Sequence, residues 1–186
     1  FPLGETVVTW TATDSSGNSA TAAQTVTVVD TTDPSITAPD GIELEATSSG
    51  STVDTGNPVY DDLVDIASVT NDAPDTFPLG ETVVTWTATD SSGNSATAAQ
   101  TVTVVDTTDP SITAPDGIEL EATSSGSTVD TGNPVYDDLV DIASVTNDAP
   151  DTFPLGETVV TWTATDSSGN SATAAQTVSV VDTTAP

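Results

Sequence analysis

Phe77-Pro78-Leu79-Gly80-Glu81-Thr82-Val83-Val84-Thr85-Trp86-Thr87-Ala88-Thr89-Asp90-Ser91-Ser92-Gly93-Asn94 is the stretch from which the fold can be read. Between Glu81 and Asp90, Val84, Trp86 and Ala88 fall on one side and Thr85, Thr87 and Thr89 on the other, the period of two expected of a half-buried strand. The following run, Ala96 to Val105, sets Ala98, Val102 and Val104 on one face. Asp90 to Asn94 between them is made of turn formers, with Gly93 available for a positive φ, so the two runs predict a hairpin. Trp86 has apolar neighbours two residues away on its own face, which favours a core anchor over a platform for stacking a sugar. Shorter strands are expected near Ile36, from Ile42 to Ala46, from Val53 to Tyr60 and from Ala67 to Thr70, and nothing predicts a long amphipathic helix. Many short strands rich in Thr and Val predict an all-β antiparallel sandwich.

Working outward, the same stretch recurs. Phe1-Pro2-Leu3-Gly4 returns as Phe77-Pro78-Leu79-Gly80 and as Phe153-Pro154-Leu155-Gly156, a spacing of 77 − 1 = 76 residues. Overlaying residues 1–110 on 77–186 leaves two mismatched columns, Thr27/Thr103 against Ser179 and Asp33/Asp109 against Ala185. A period of 76 is too long for a solenoid turn and suits a small domain with its own core. Residues 33–108 and 109–186 are therefore expected to be complete beads, and 1–32 the trailing part of an earlier one, cut from a longer array.

The 186 residues contain 29 acidic side chains and no Lys, Arg, His, Cys or Met. Nucleic acid is excluded as a partner because phosphate contacts need cationic side chains, and anionic membrane surfaces are excluded likewise. No apolar run approaches the roughly 20 residues of a spanning helix, so no membrane insertion is expected of this stretch. Without cysteine, an oxidising compartment has to be argued from other features. A solvated acidic coat accounts for scattered carboxylates but not for their clustering.

The run from Phe77 to Asn94, followed by Thr101-Val102-Thr103-Val104-Val105-Asp106, closely resembles the hyalin repeat (HYR) domain, an immunoglobulin-like module of extracellular adhesion and matrix proteins. Asp109-Pro110-Ser111-Ile112-Thr113-Ala114-Pro115 is similar to that family's opening. The resemblance covers essentially the whole chain. It implies tandem immunoglobulin-like sandwiches joined end to end, an extracellular or cell-surface setting, and adhesion or assembly rather than catalysis. The cysteine pair that family members often carry is absent, with Ala98 or a neighbour near one expected position, which makes another staple more desirable.

In an immunoglobulin-like bead the chain enters at one pole, which should also carry the hairpin tip and the loop Asp61-Asp62-Leu63-Val64-Asp65. The preceding bead ends there with Asp30 and Asp33. Two carboxylates about 5 Å apart repel by roughly 3 kcal/mol at an effective dielectric of about 20. With no Lys or Arg, only metal ions, protonation or solvent can neutralise them, and of these a hard cation with six to eight oxygen ligands is the expected staple. Calcium is thus predicted at the junctions, with Asp30, Asp33, Asp61, Asp62 and Asp90 as candidate ligands in one site. Asp106, Asp109, Asp137, Asp138 and Asp166 are the candidates in its copy.

Two enzyme motifs are decoys. Asp54-Thr55-Gly56 and Asp130-Thr131-Gly132 match the aspartic-protease triplet but continue into Asn-Pro, which predicts a turn or strand edge. Paired carboxylates could serve a glycosidase, yet identical copies with no His, Cys, Lys or Arg to bind substrate argue against it. The abundant Ser residues lack a base. The outward rows Thr85, Thr87 and Thr89 suit solvent-side strand positions, O-linked sugars or lateral contacts, and no N-glycosylation sequon occurs. The leading expectation is a structural rod or filament whose partners are its own neighbouring repeats. The alternative is the stalk or ligand-binding region of an adhesin, with a glycan or receptor partner, for which variation between beads would be expected.

Overall fold

The computed structural model describes residues 1–48, 50–123 and 126–185; Pro186, the last residue assigned to the second complete bead, lies outside them. The described residues form strands and no helix. In chain order the strands are β1 (Gly4–Thr13), β2 (Ser19–Val28), β3 (Ser35–Thr37), β4 (Ile42–Glu45), β5 (Gly50–Ser51), β6 (Val59–Asp61), β7 (Ile66–Asn71) and β8 (Phe77–Pro78). They continue as β9 (Gly80–Asp90), β10 (Ser95–Val105), β11 (Ser111–Thr113), β12 (Ile118–Glu121), β13 (Val135–Asp137), β14 (Ile142–Asn147), β15 (Gly156–Asp166) and β16 (Ser171–Val181). No helix among the described residues is long and apolar enough to cross a membrane.

Two compact units divide the chain: residues 1–41, 54–74 and 83–101 form one, and residues 42–53, 75–82 and 102 onward form the other. The second contains a whole repeat. There β15 and β16 make the predicted hairpin, in register from Gly156↔Val180 to Thr165↔Ser171. β14 pairs antiparallel with β15, while β12 runs parallel to the end of β16, giving the order β12-β16-β15-β14. A small antiparallel pair, β11 with β13, brings Ile112 against the core. Phe153, Val160, Trp162, Val178 and Val180 make up the buried centre, and all but Phe153 come from the inward side of the hairpin, as the alternation requires. The backbone of Phe153 exchanges hydrogen bonds with Ser127, N to O at 2.8 and 3.0 Å, which fixes one of the two largest fully buried side chains in place.

Trp162 faces Ala174 across the hairpin, leaving room for the indole to lie diagonally toward Gln176. Its Nε1 donates to Gln176 Oε1 at 3.2 Å, and Gln176 Nε2 donates to the carbonyls of Asp116 and Thr131 at 2.9 and 3.1 Å. The buried amide is thereby satisfied on both sides, as a polar group in a core must be.

The first unit repeats these contacts. Val84, Trp86 and Ala88 are buried, Trp86 Nε1 donates to Gln100 Oε1 at 3.1 Å, and Gln100 Nε2 reaches the carbonyls of Asp40 and Thr55. β7 pairs with β9 from Ile66↔Asp90, with a register shift between Ile66 and Ser68, and β3 pairs with β6. The expected strand from Val53 to Tyr60 is reduced to β6. Asp54 Oδ1 accepts from Gly56 N at 3.0 Å, Gly56 has φ of 77°, and Pro58 offers no N–H, so residues 54–58 turn instead of pairing. The protease-like triplet is that turn.

Candidate metal centre

Each repeat gathers three aspartates. One carboxylate oxygen from each of Asp30, Asp62 and Asp90 lies within 4.8 Å of the others, and Asp106, Asp138 and Asp166 form the same group 76 residues on. The first trio lies wholly in the first compact unit and the second wholly in the other. Asp90 and Asp166 are buried; the other four are half-buried.

Three local devices aim these side chains. Asp90 ends β9, and the tight turn after it wraps around its carboxylate: Oδ1 accepts from Ser92 N and Asn94 N at 2.9 and 2.8 Å, and Oδ2 from Asn94 Nδ2 at 2.8 Å. Gly93, at φ of 95°, supplies the left-handed residue this turn needs. Asp62 leaves β6 and closes a short turn by accepting from Val64 N at 3.4 Å. Asp30 accepts from Thr32 N at 3.1 Å, and Asn94 Nδ2 reaches both its carbonyl and its Oδ2 at 3.4 Å. In the copy, Asn170 bridges Asp106 and Asp166 with the same set of bonds.

Burial pushes the Asp90 and Asp166 carboxyls up, but the donors of the turn, led by the Asn94 and Asn170 side chains, outweigh it and hold both below the ordinary value of 3.8. Both are therefore anions at neutral pH. With no cationic side chain in the sequence, no side chain of the chain neutralises the carboxylates of a trio, and like charges so close repel.

Of the five aspartates expected in each site, three come together and two do not. Asp61 and Asp137 are exposed at the ends of β6 and β13, and strand alternation sends each to the side opposite its neighbour Asp62 or Asp138. Asp33 and Asp109 are also exposed, while the prolines that follow them are buried. Asn94 and Asn170 were missed as site residues, although their place at the end of the D-x-S-G-N turn marks them as the donors an aspartate there would recruit.

The donor set fits a hard divalent cation. Calcium takes oxygen ligands at about 2.3–2.6 Å, so two ligands of one ion lie at most about 5 Å apart, and a trio whose oxygens lie within 4.8 Å meets that limit. Three carboxylates supply three to six of the six to eight oxygens required, leaving the rest to carbonyls and water. The absence of thiol and imidazole disfavours the softer metals.

The family model described as HYR domain matches residues 29–104 and 105–180, so each trio falls inside a single matched segment. Hyalin of Lytechinus variegatus is 42% identical over 205 aligned residues, which cover 100% of this chain and 39% of that protein. Hyalin of Strongylocentrotus purpuratus is 40% identical over 205 residues, covering 100% of this chain and 17% of that protein. The chain thus spans well under half the length of these relatives. Among solved structures, the EC22-24 segment of mouse cadherin-23 aligns over 96% of this chain and 74% of that one, at 15% identity and a TM-score of 0.35.

Proposed function

Because the chain belongs to the HYR domain family, we propose that it is a stretch of an extracellular, non-enzymatic repeat array: a rod or filament of near-identical β-sandwich beads stiffened by calcium. The observation that carries this reading is the trio of aspartates, formed twice in the same way, in a sequence with no side chain able to neutralise it. Asp30, Asp62 and Asp90 would hold one Ca²⁺ and Asp106, Asp138 and Asp166 another. Asp30 and Asp106 sit on the short connections that enter each matched segment, so pinning them would fix the connecting residues to the bead that follows. We place the start of each bead within residues 29–33 and 105–109 accordingly, and its partners are the neighbouring beads and other copies of the chain. The near-identity of the repeats favours a uniform spacer over an adhesin face, which would need distinct loops.

Extracellular calcium modules bind at about 0.1–1 mM. At about 10 mM Ca²⁺ each filled site then adds about 1.4–2.7 kcal/mol of stability, a rise in melting temperature of several degrees for beads of this size. A calcium titration of the 186-residue chain, followed by calorimetry, melting and small-angle scattering, is expected to show two sites and a stiffer particle. Unchanged melting and scattering at about 10 mM would remove the calcium-stiffened reading and leave only the repeat array.

A further inference from the structure

The matched segments 29–104 and 105–180 adjoin once in this chain, and beside that connection four apolar side chains are less exposed than their copies 76 residues away. Leu139 is 49% exposed where Leu63 is 88% exposed, and Val140 is buried where Val64 is half-buried. On the other side of the connection Ala46 is buried and Leu79 half-buried, whereas Ala122 is half-buried and Leu155 is 57% exposed. Local structure does not account for these differences. Val64 N donates to Asp62 Oδ2 and Val140 N to Asp138 Oδ2, both at 3.4 Å. Ala46 N donates to Val105 O at 2.6 Å, and Ala122 N to Val181 O at 2.7 Å. The glutamates that end β4 and β12 accept alike from the residues that follow each hairpin, Glu45 from Thr107 N at 2.7 Å and Glu121 from Thr183 N at 2.8 Å. Identical residues with the same bonds differ in whether a complete segment adjoins them, so the lost exposure marks the surface that a complete neighbour covers.

We infer that Ala46 and Leu79 of one repeat and Leu139 and Val140 of the next form an apolar joint, in which the partner of each repeat is the adjoining copy of itself. All four residues belong to the second compact unit. The connection brings their two poles together: Glu45, next to Ala46, holds Thr107, while the carboxylate of Asp106 lies within 4.8 Å of that of Asp138, next to Leu139. The inference goes beyond the calcium reading and does not depend on it. Burial of apolar surface is non-directional and attracts whatever the charge around it, so it opposes the mutual repulsion of two acidic repeats without an ion. A small contact suffices, because a short connection keeps the two faces at millimolar effective concentration. The two faces differ, and every repeat carries both, one at each pole. Such a head-to-tail contact repeats from bead to bead and does not close on itself.

The test uses the whole 186-residue chain in chelator, so that no outcome depends on a cation. Leu79→Ala and Leu139→Ala are made singly and together, with Leu155→Ala and Leu63→Ala as their less covered copies. None of the four leucines is buried, so every variant is expected to fold. Leu79→Ala and Leu139→Ala should each lower the melting temperature by about 2–4 °C, and the copies by under about 1 °C. The double variant should fall short of the sum of the two, as it does for residues in contact. Small-angle scattering should show a broader spread of distances between the repeats in either variant than in the unsubstituted chain. Equal shifts for the covered leucines and their copies, with an additive double variant, would overturn the joint. So would scattering from the unsubstituted chain as broad as from the variants. Concentration-dependent dimers in sedimentation, dispersed by Leu139→Ala, would assign the face to a second chain and overturn it as well. Absence of Ca²⁺ binding in a separate titration would sink the calcium reading and leave the joint standing.

Discussion

Residues 1–28 and 77–104 have the same sequence, but only the second hairpin has the leading half of its repeat within these 186 residues, and it is the centre of a core. Trp10 is 62% exposed where Trp86 is 4% exposed, and Asp14 is exposed where Asp90 is buried. Among the described residues β1 and β2 pair only with each other, whereas β9 carries β7 and β10 carries β4. The internal geometry hardly differs. Trp10 Nε1 donates to Gln24 Oε1 at 3.0 Å as Trp86 does to Gln100, and Asp14 is clasped by Ser16 N, Asn18 N and Asn18 Nδ2 as Asp90 is by its own turn. The hairpin's register, its indole–amide pair and its tip are thus local properties of 28 residues. The core and the aspartate trio are not; they appear where the leading half of a repeat packs on it.

The sharpest way to break this comparison is to truncate the indoles. Trp86→Ala and Trp162→Ala should each cost about 3–5 kcal/mol in denaturant unfolding, because each leaves a cavity in a packed core. In these 186 residues taken alone, Trp10→Ala should stay within about 0.5 kcal/mol, as surface substitutions do. A large loss from Trp10→Ala would mean that the hairpin face is covered in solution. Next in size is the amide. Gln176→Leu strands the indole N–H and the carbonyls of Asp116 and Thr131, an expected cost of about 1–3 kcal/mol by calorimetric melting, whereas water can replace the amide in Gln24→Leu. Equal melting shifts for the two would show that the inner amide network contributes nothing beyond the local pair.

The same division explains what could be read in the sequence. Val84, Trp86 and Ala88 announce their strand because alternation is a local signal, and Gly93 announces its turn for the same reason. Gln100 could not be read as core: it lies between Ala98 and Val102 on the inward face and looks like an interruption until the carbonyls of Asp40 and Thr55 are placed beside it. The parallel pairing of β4 with β10 was equally hidden, since strand direction across a sheet is set by the course of the chain and not by side-chain pattern. At the acidic pole the location could be argued from loop order, but the choice of Asp62 over Asp61 depends on where β6 ends, and a shift of one residue would reverse it. Val53 to Tyr60 misled because Val53 and Val59 suggest a strand, while the Asp54 turn and Pro58 prevent one.

The smallest effect bears most directly on whether the hairpin tip is locally encoded. Hydrogen bonds from the Asn18 side chain and backbone, with lesser ones from Ser16 and Gly17, hold the Asp14 carboxyl below its ordinary value of 3.8 without any covering strand. A carboxyl lowered in the folded state stabilises that state above its unfolded value, and the contribution is lost as pH falls through the lowered folded value. The clasp at Asp14 should accordingly hold at pH 5 and weaken only in the acid limb below 3.8. Carbon-detected NMR titration of the side-chain carboxyl should place its midpoint under 3.8, and Asn18→Ala should return it toward that value. Asp14 belongs to no acidic trio among the described residues, so its midpoint reports the turn alone. An ordinary midpoint for Asp14 in the unsubstituted chain would mean that the tip needs the packing of a whole bead to form. The identity of the two hairpins would then be one of sequence only, with conformation imposed by the strands around them.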